Sequence, residues 1–155
     1  MKLLLAVDGS TFSDAAVEQI ASRPWPEGTE VDVLSVAEQP AYPMGEAAAL
    51  PSSYYEEMEK IGQQQSRAAV DKAVERLRSG ASSLRVTANV VAGHPVQEIV
   101  DRAEQWDADL LVVGSHGYRG FKRLLLGSVS QAVASHAKCS VEIVRRKQIA
   151  NGSHG

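Results

Sequence analysis

Cysteine is almost absent. The single Cys139 cannot close an internal disulfide and has no companion thiol for a metal site, so it is read as a small buried hydrophobe. The four histidines, His94, His116, His136 and His154, fall at no HxxxH or HxH spacing, which excludes a zinc or iron centre of that kind. Aromatic residues make up only 5% of the chain, and Trp25 and Trp106 sit near element ends, where packing against a helix edge is expected. No apolar run approaches the roughly 18 residues of a membrane span. The opening run "MKLLLAVDGS" is too short for a signal peptide and is interrupted by Asp8. Positive charge is not in excess either: a formal net charge of -3 argues against nucleic acid as the main partner, because that role requires a basic face. Without a targeting segment, the default compartment is the cytoplasm. A GxxxxGK[ST] phosphate loop is also missing.

What is present fits one domain. At 155 residues with 44% hydrophobic and 23% charged residues, the chain can bury a sizeable core. Short apolar runs at residues 2–7, 30–37, 84–92, 109–114 and 140–144 read as five strands, the first of them, "KLLLAV", covered on both faces. Helical spacing separates them. Ala16, Val17, Ile20 and Ala21 follow the capping group Ser10 to Asp14. A long stripe from about Ser53 to Arg78 carries Met58, Ile61, Ala68, Ala69, Ala73, Val74 and Leu77. Pro95 opens a third helix with Val96, Ile99, Val100 and Ala103 inward. A fourth begins near Ser128 with Val129, Ala132, Val133 and His136 in its pattern. Strand alternating with helix predicts a single doubly wound α/β domain, with a five-stranded, mainly parallel sheet and helices on both faces. Ligands in such sheets bind beyond the C-terminal strand ends, where strand order reverses. The irregular segment 38–52 beside that edge reads as a lid, with Tyr42, Tyr54 and Tyr55 as candidate lining.

Glycine is concentrated at that edge. "LLVVGSHGYRGFKRLLLGSVSQAV", residues 110–133, places Gly114, Gly117 and Gly120 straight after a strand and Gly127 before Ser128 at a helix start. Two explanations stand: turns that need a positive φ, and a loop whose backbone N–H groups approach a phosphate at a helix N-terminus. Arg119, Lys122 and Arg123 between them read as a solvated basic loop with at most one phosphate contact. Asp8, at the end of the first strand, reads more as a helix or turn cap than as a ligand contact.

The spacing Gly114-x2-Gly117-x9-Gly127-Ser128 resembles the G-x2-G-x9-G-[ST] pattern of the ATP-binding branch of the universal stress protein family. So do "LLLAVDGSTFSDAAV", "GHPVQEIVDRAEQWDADLLVVGSHG" and "GSVSQAVASHAKCSVEIVR", giving a resemblance over residues 1–146 and leaving 147–155 as a polar tail. The resemblance implies a Rossmann-like fold of the adenine nucleotide alpha hydrolase kind and ATP, with or without magnesium, as the ligand. It further implies that Asp8 faces the adenosine and Val36 closes against the adenine. Val113, Gly114, His116 and Gly117 would approach the ribose and phosphates, and Gly127, Ser128 and Val129 would hold the phosphates. The related pyrophosphatase-type synthetases carry an SGGxDS loop where this chain has "VDGSTFS", and that reading is set aside.

The expected function is a nucleotide-responsive binding module of the stress response. A slow ATP-hydrolysing enzyme and a stress protein acting through protein contacts alone are the alternatives. The last strand, "SVEIV", ends the fold at a sheet edge and implies a homodimer through Val141 and Ile143. Gly117→Val and Gly127→Val are both expected to weaken nucleotide binding with little loss of fold.

Overall fold

Strand and helix alternate from the first residues of the chain to its last strand in a computed structural model that describes residues 1–41, 45, 50–117 and 125–146. The elements are β1 (Lys2–Ala6), α1 (Thr11–Ser22), β2 (Glu30–Glu38), α2 (Ser52–Gly80), β3 (Arg85–Gly93), α3 (Pro95–Gln105), β4 (Leu110–Gly114), α4 (Ser128–His136) and β5 (Ser140–Val144). The five strands form one sheet in the order β3-β2-β1-β4-β5, and every pairing is parallel.

The apolar run of β1 follows from its central place. Leu3, Leu4 and Leu5 are completely buried, Leu3 and Leu5 against α1 and α2 on one face, Leu4 against α3 and α4 on the other. Each such burial contributes about 1.5–3 kcal/mol relative to exposure. α1 starts where Ser10 accepts a hydrogen bond from the Ser13 backbone N–H at 3.2 Å, and it buries Ala16, Val17, Ile20 and Ala21. Trp25 and Trp106 pack against the first and second clusters, and the Trp25 indole N–H donates to the Ile20 carbonyl.

Three side-chain placements differ from the sequence reading. In α2 only the C-terminal half of the stripe is buried, at Ala69, Val70, Ala73, Val74 and Leu77, while Ala68 is exposed and Met58 and Ile61 are 43% and 40% exposed. The helix runs for 29 residues against strands of nine at most, so, the buried Tyr55 apart, its N-terminal half extends past the surface that covers the rest. His136 is exposed in the last turn of α4, bonded through Nδ1 to the Ala132 carbonyl, so Val133 alone of that helix's apolar set is fully buried. Cys139 is half-buried against the second cluster rather than enclosed.

One polar cluster lies inside the second face. Asp32 is completely buried in β2, yet it accepts from Arg102 Nε at 2.7 Å, from Asn89 Nδ2 at 2.6 Å and from Thr87 Oγ1 at 3.3 Å. Its carboxylate thus has the partners a buried charge requires. The arrangement clamps α3 to β2 and β3. At the opposite edge, Arg23 after α1 pairs bidentately with Glu142 of β5 at 2.8 and 3.0 Å, which raises the Arg23 pKa through that hydrogen bond.

A candidate nucleotide site at the strand reversal

Strand order turns between β1 and β4: the chain moves outward from β1 through β2 to β3, then returns to β4 and β5 on the other side. The connections leaving β1 and β4 therefore part to opposite faces and open a crevice at the C-terminal edge. Carried two or three places beyond the paired residues Ala6↔Leu34 and Leu5↔Val112, the register sets Asp8 level with Val36 on one side and Ser115 on the other. Asp8, Val36, Gly114, His116 and Gly117 are thus gathered by the sheet itself.

Asp8 divides its two oxygens between the α1 turn and the crevice. Oδ1 accepts the Ser10 backbone N–H at 2.9 Å, an Asx turn that positions the α1 cap, with Gly9 at φ 79 completing the reversal. Oδ2 points across the crevice to Gly117, where an added Cβ would stand 2.8 Å from it. Val36 is half-buried at the margin of the second cluster. Val113 is 4% exposed within that cluster, so only its backbone can face a ligand.

The glycines separate by what surrounds them. None of Gly114, Gly117 and Gly127 has a positive φ, so the turn explanation does not account for them. At Gly114 a Cβ would lie 2.7 Å from the carbonyl carbon and oxygen of Phe12 and 2.9 Å from the Ser13 nitrogen: the end of β4 touches the backbone of the first turn of α1. Gly127 is enclosed by His116 Cα at 3.1 Å, Ser115 O at 3.2 Å and Ser130 Oγ at 3.3 Å. A valine there presses on the protein itself, which corrects the expectation that Gly127→Val spares the fold. Gly117 is exposed, and among the described residues an added Cβ there meets only Asp8, leaving space that a ligand can use. Gly120, Arg119, Lys122 and Arg123 lie outside the described residues, as do residues 42–44, Tyr42 among them, and 46–49 of the proposed lid. Tyr54 and Tyr55 belong to the first turns of α2, one exposed and one buried, with their rings 5.7 Å apart edge to face.

Ser115 and Ser130, which the sequence reading passed over, hold the start of α4 to the end of β4. Ser115 is 3% exposed, and its carbonyl accepts both the Gly127 N–H at 2.7 Å and the Ser130 hydroxyl at 2.9 Å, fastening the start of α4 to the end of β4. Its own hydroxyl lies 3.1 Å from His116 Nδ1, and the Phe12 ring lies 5.0 Å from the His116 ring at 51°. His116 is therefore fixed between two neighbours. The Gly127 N–H is spent on Ser115, so the donors left for an anion are those of the first helical residues, Ser128, Val129 and Ser130, which have no intrahelical acceptor. No side chain caps this helix, and Ser128 is exposed. Its dipole favours an anion by about 0.3–1 kcal/mol in exposed settings. Among the described residues no group of three or more His, Cys, Asp and Glu is placed to hold a metal ion. A cavity of about 440 Å³ lies elsewhere, between α2 and β3, and includes none of these residues.

An open parallel α/β sheet with an anion-receptive helix start beside the strand reversal defines a class of small-ligand and nucleotide-binding domains. Within it, the chain belongs to the universal stress protein family, whose model matches residues 1–145. It is 30% identical to universal stress protein Sll1388 of Synechocystis over 152 residues, covering 93% of this chain and 97% of that one. Its fold is similar to that of universal stress protein MJ0577 of Methanocaldococcus jannaschii, with a TM-score of 0.79 at 25% identity and 95% and 96% of the two chains covered. A family member from Arabidopsis thaliana solved with AMP bound has a TM-score of 0.66 at 18% identity, over 99% and 97% of the chains.

Proposed function

We propose that this protein is a nucleotide-responsive module that binds ATP, with or without magnesium, in the crevice between β1 and β4. The observation that carries the reading is the pairing of Asp8 Oδ2 with space at Gly117 that no other described residue fills, directly beside the uncapped start of α4. The adenosine end lies toward Asp8 and Val36. The phosphates lie over Gly117 against the N–H groups of Ser128 and Val129, and His116 borders them. The AMP-bound family member supports an adenine nucleotide as the ligand class. Occupancy would alter contacts with other proteins in the cytoplasm; hydrolysis, read as phosphate release, is expected to be slow. Equilibrium dialysis against ATP, ADP and AMP tests the ligand: saturable ATP binding that Asp8→Ala weakens supports this reading, and no binding to folded protein removes it.

The same reading includes a homodimer through β5. Val141 and Ile143 are only half-buried against the second cluster, at an edge where β4 is the neighbouring strand among those described. Light scattering of Ile143→Lys is expected to give monomers, and an unchanged dimer excludes this surface.

A further inference from the structure

The other edge of the sheet is the longer one. β3 spans nine residues against five for β5, and it pairs with β2 in an unbroken register from Glu30↔Arg85 to Glu38↔Gly93. Proteins ordinarily blunt such edges with proline, bulges, inward charges or short strands. β3 has none of these: "RVTANVVAG" carries a single charge, Arg85, at its start. Its outward backbone groups form a template for another strand.

Beside this edge runs a groove of about 440 Å³ lined by Lys60, Gln63, Gln64 and Arg67 of α2 above Val90, Val91 and Ala92 of β3. The four helix residues share one stripe at i, i+3, i+4 and i+7. Two are cations, two are amides and none is acidic. Lys60 forms no ion pair among the described residues, and Arg67 has only Asp71, at 3.4 Å with both side chains 62% exposed. A pair of that kind is worth about 0–1 kcal/mol and is readily exchanged.

We propose that the β3 edge and this cationic groove dock an extended, carboxylate-bearing segment of a partner protein by strand addition. Main-chain hydrogen bonds to β3 would supply affinity, and alternate side chains directed toward α2 would supply selection. Lys60 and Arg67 stand seven residues apart, about 10 Å along the helix. Carboxylates two or four positions apart on a strand, spaced by about 7 or 13 Å, reach both through the long side chains. A second copy is a poor occupant. Two-fold pairing of β3 with itself brings Lys60 and Arg67 of both copies together, none of the four groove-lining helix residues is acidic, and like charges so placed repel.

The test uses the full chain and a short fluorescein-labelled peptide alternating Glu and Val, with a Lys-and-Val counterpart as control. Anisotropy at low salt is expected to show saturable binding of the acidic peptide and weaker binding of the basic one. Lys60→Glu with Arg67→Glu should lose about ten-fold in affinity for the acidic peptide, the product of two exposed ion pairs, and gain for the basic one. Both side chains are exposed, so the variant's melting temperature and nucleotide binding should remain those of the parent. Amide hydrogen exchange should slow along Arg85–Gly93 on peptide addition and not along β5. Absence of saturable binding, equal binding to parent and variant, or protection appearing away from β3 would each overturn the proposal. A dimer of the chain that itself protects the β3 amides would assign this edge to self-association instead.

Discussion

Replacing Gly114 and Gly117 with alanine, one at a time, adds the same methyl group on either side of Ser115 and His116 with opposite expected results. At Gly114 the new Cβ would stand 2.7 Å from two backbone atoms of Phe12 and 2.9 Å from a third in Ser13. Backbone in the first turn of a helix cannot swing aside as a side chain can, so α1 must move away from β4. Overpacking of this kind costs about 1–3 kcal/mol. In a domain of this size that lowers Tm by about 2–12 °C. At the exposed Gly117 the one neighbour among the described residues is Asp8 Oδ2 at 2.8 Å, the end of a half-buried side chain. Stability should change there by no more than about 0.5 kcal/mol. Nucleotide binding, however, should weaken, because the methyl takes space assigned to the ribose and phosphates and displaces the carboxylate assigned to the adenosine end. Scanning calorimetry without nucleotide, followed by titration of each variant with ATP, separates the effects. Equal Tm losses at both positions would refute the packing argument, and parent-like ATP affinity in Gly117→Ala would refute the crevice.

Other substitutions probe the frame around that crevice. Arg102→Ala should cost about 3–5 kcal/mol in urea unfolding because it strands the fully buried Asp32 carboxylate, whereas Arg76→Ala, which breaks the exposed pair with Glu18, should cost under about 1 kcal/mol. Leu77→Ala, at a completely buried site, should cost about 2–5 kcal/mol, and Met58→Ala, in the exposed half of the same helix, within about 0.5 kcal/mol. Ser10→Ala removes the cap of α1 and should cost about 1 kcal/mol by the same assay.

Periodicity made the sheet readable. β1 announces its central place by three consecutive leucines, and the alternation of strand and helix gives parallel pairing through right-handed crossovers. Strand order was less accessible, since no local pattern says that β3 and not β2 lies at the edge. The half-exposed α2 was misread for a related reason: helical spacing marks a stripe but does not say how far the sheet beneath it extends. Asp32 broke the expectation of an apolar β2, and its explanation lies 70 residues away in Arg102. At the crevice, the glycine spacing pointed to the connection between β4 and α4. It did not distinguish Gly114, fixed by contact with α1, from Gly117, which stands open, because that difference depends on where the α1 backbone passes. Ser115 escaped notice because its contribution is a carbonyl, which every residue has.

The central claim is met most directly by isothermal titration of the folded, nucleotide-stripped protein with Mg-ATP, with Gly117→Val in parallel. Micromolar saturable binding by the parent, lost in the variant while its unfolding curve is unchanged, is the predicted result. A folded parent that takes up no heat-detectable ATP would contradict the account and leave contacts with other proteins as the function of the fold.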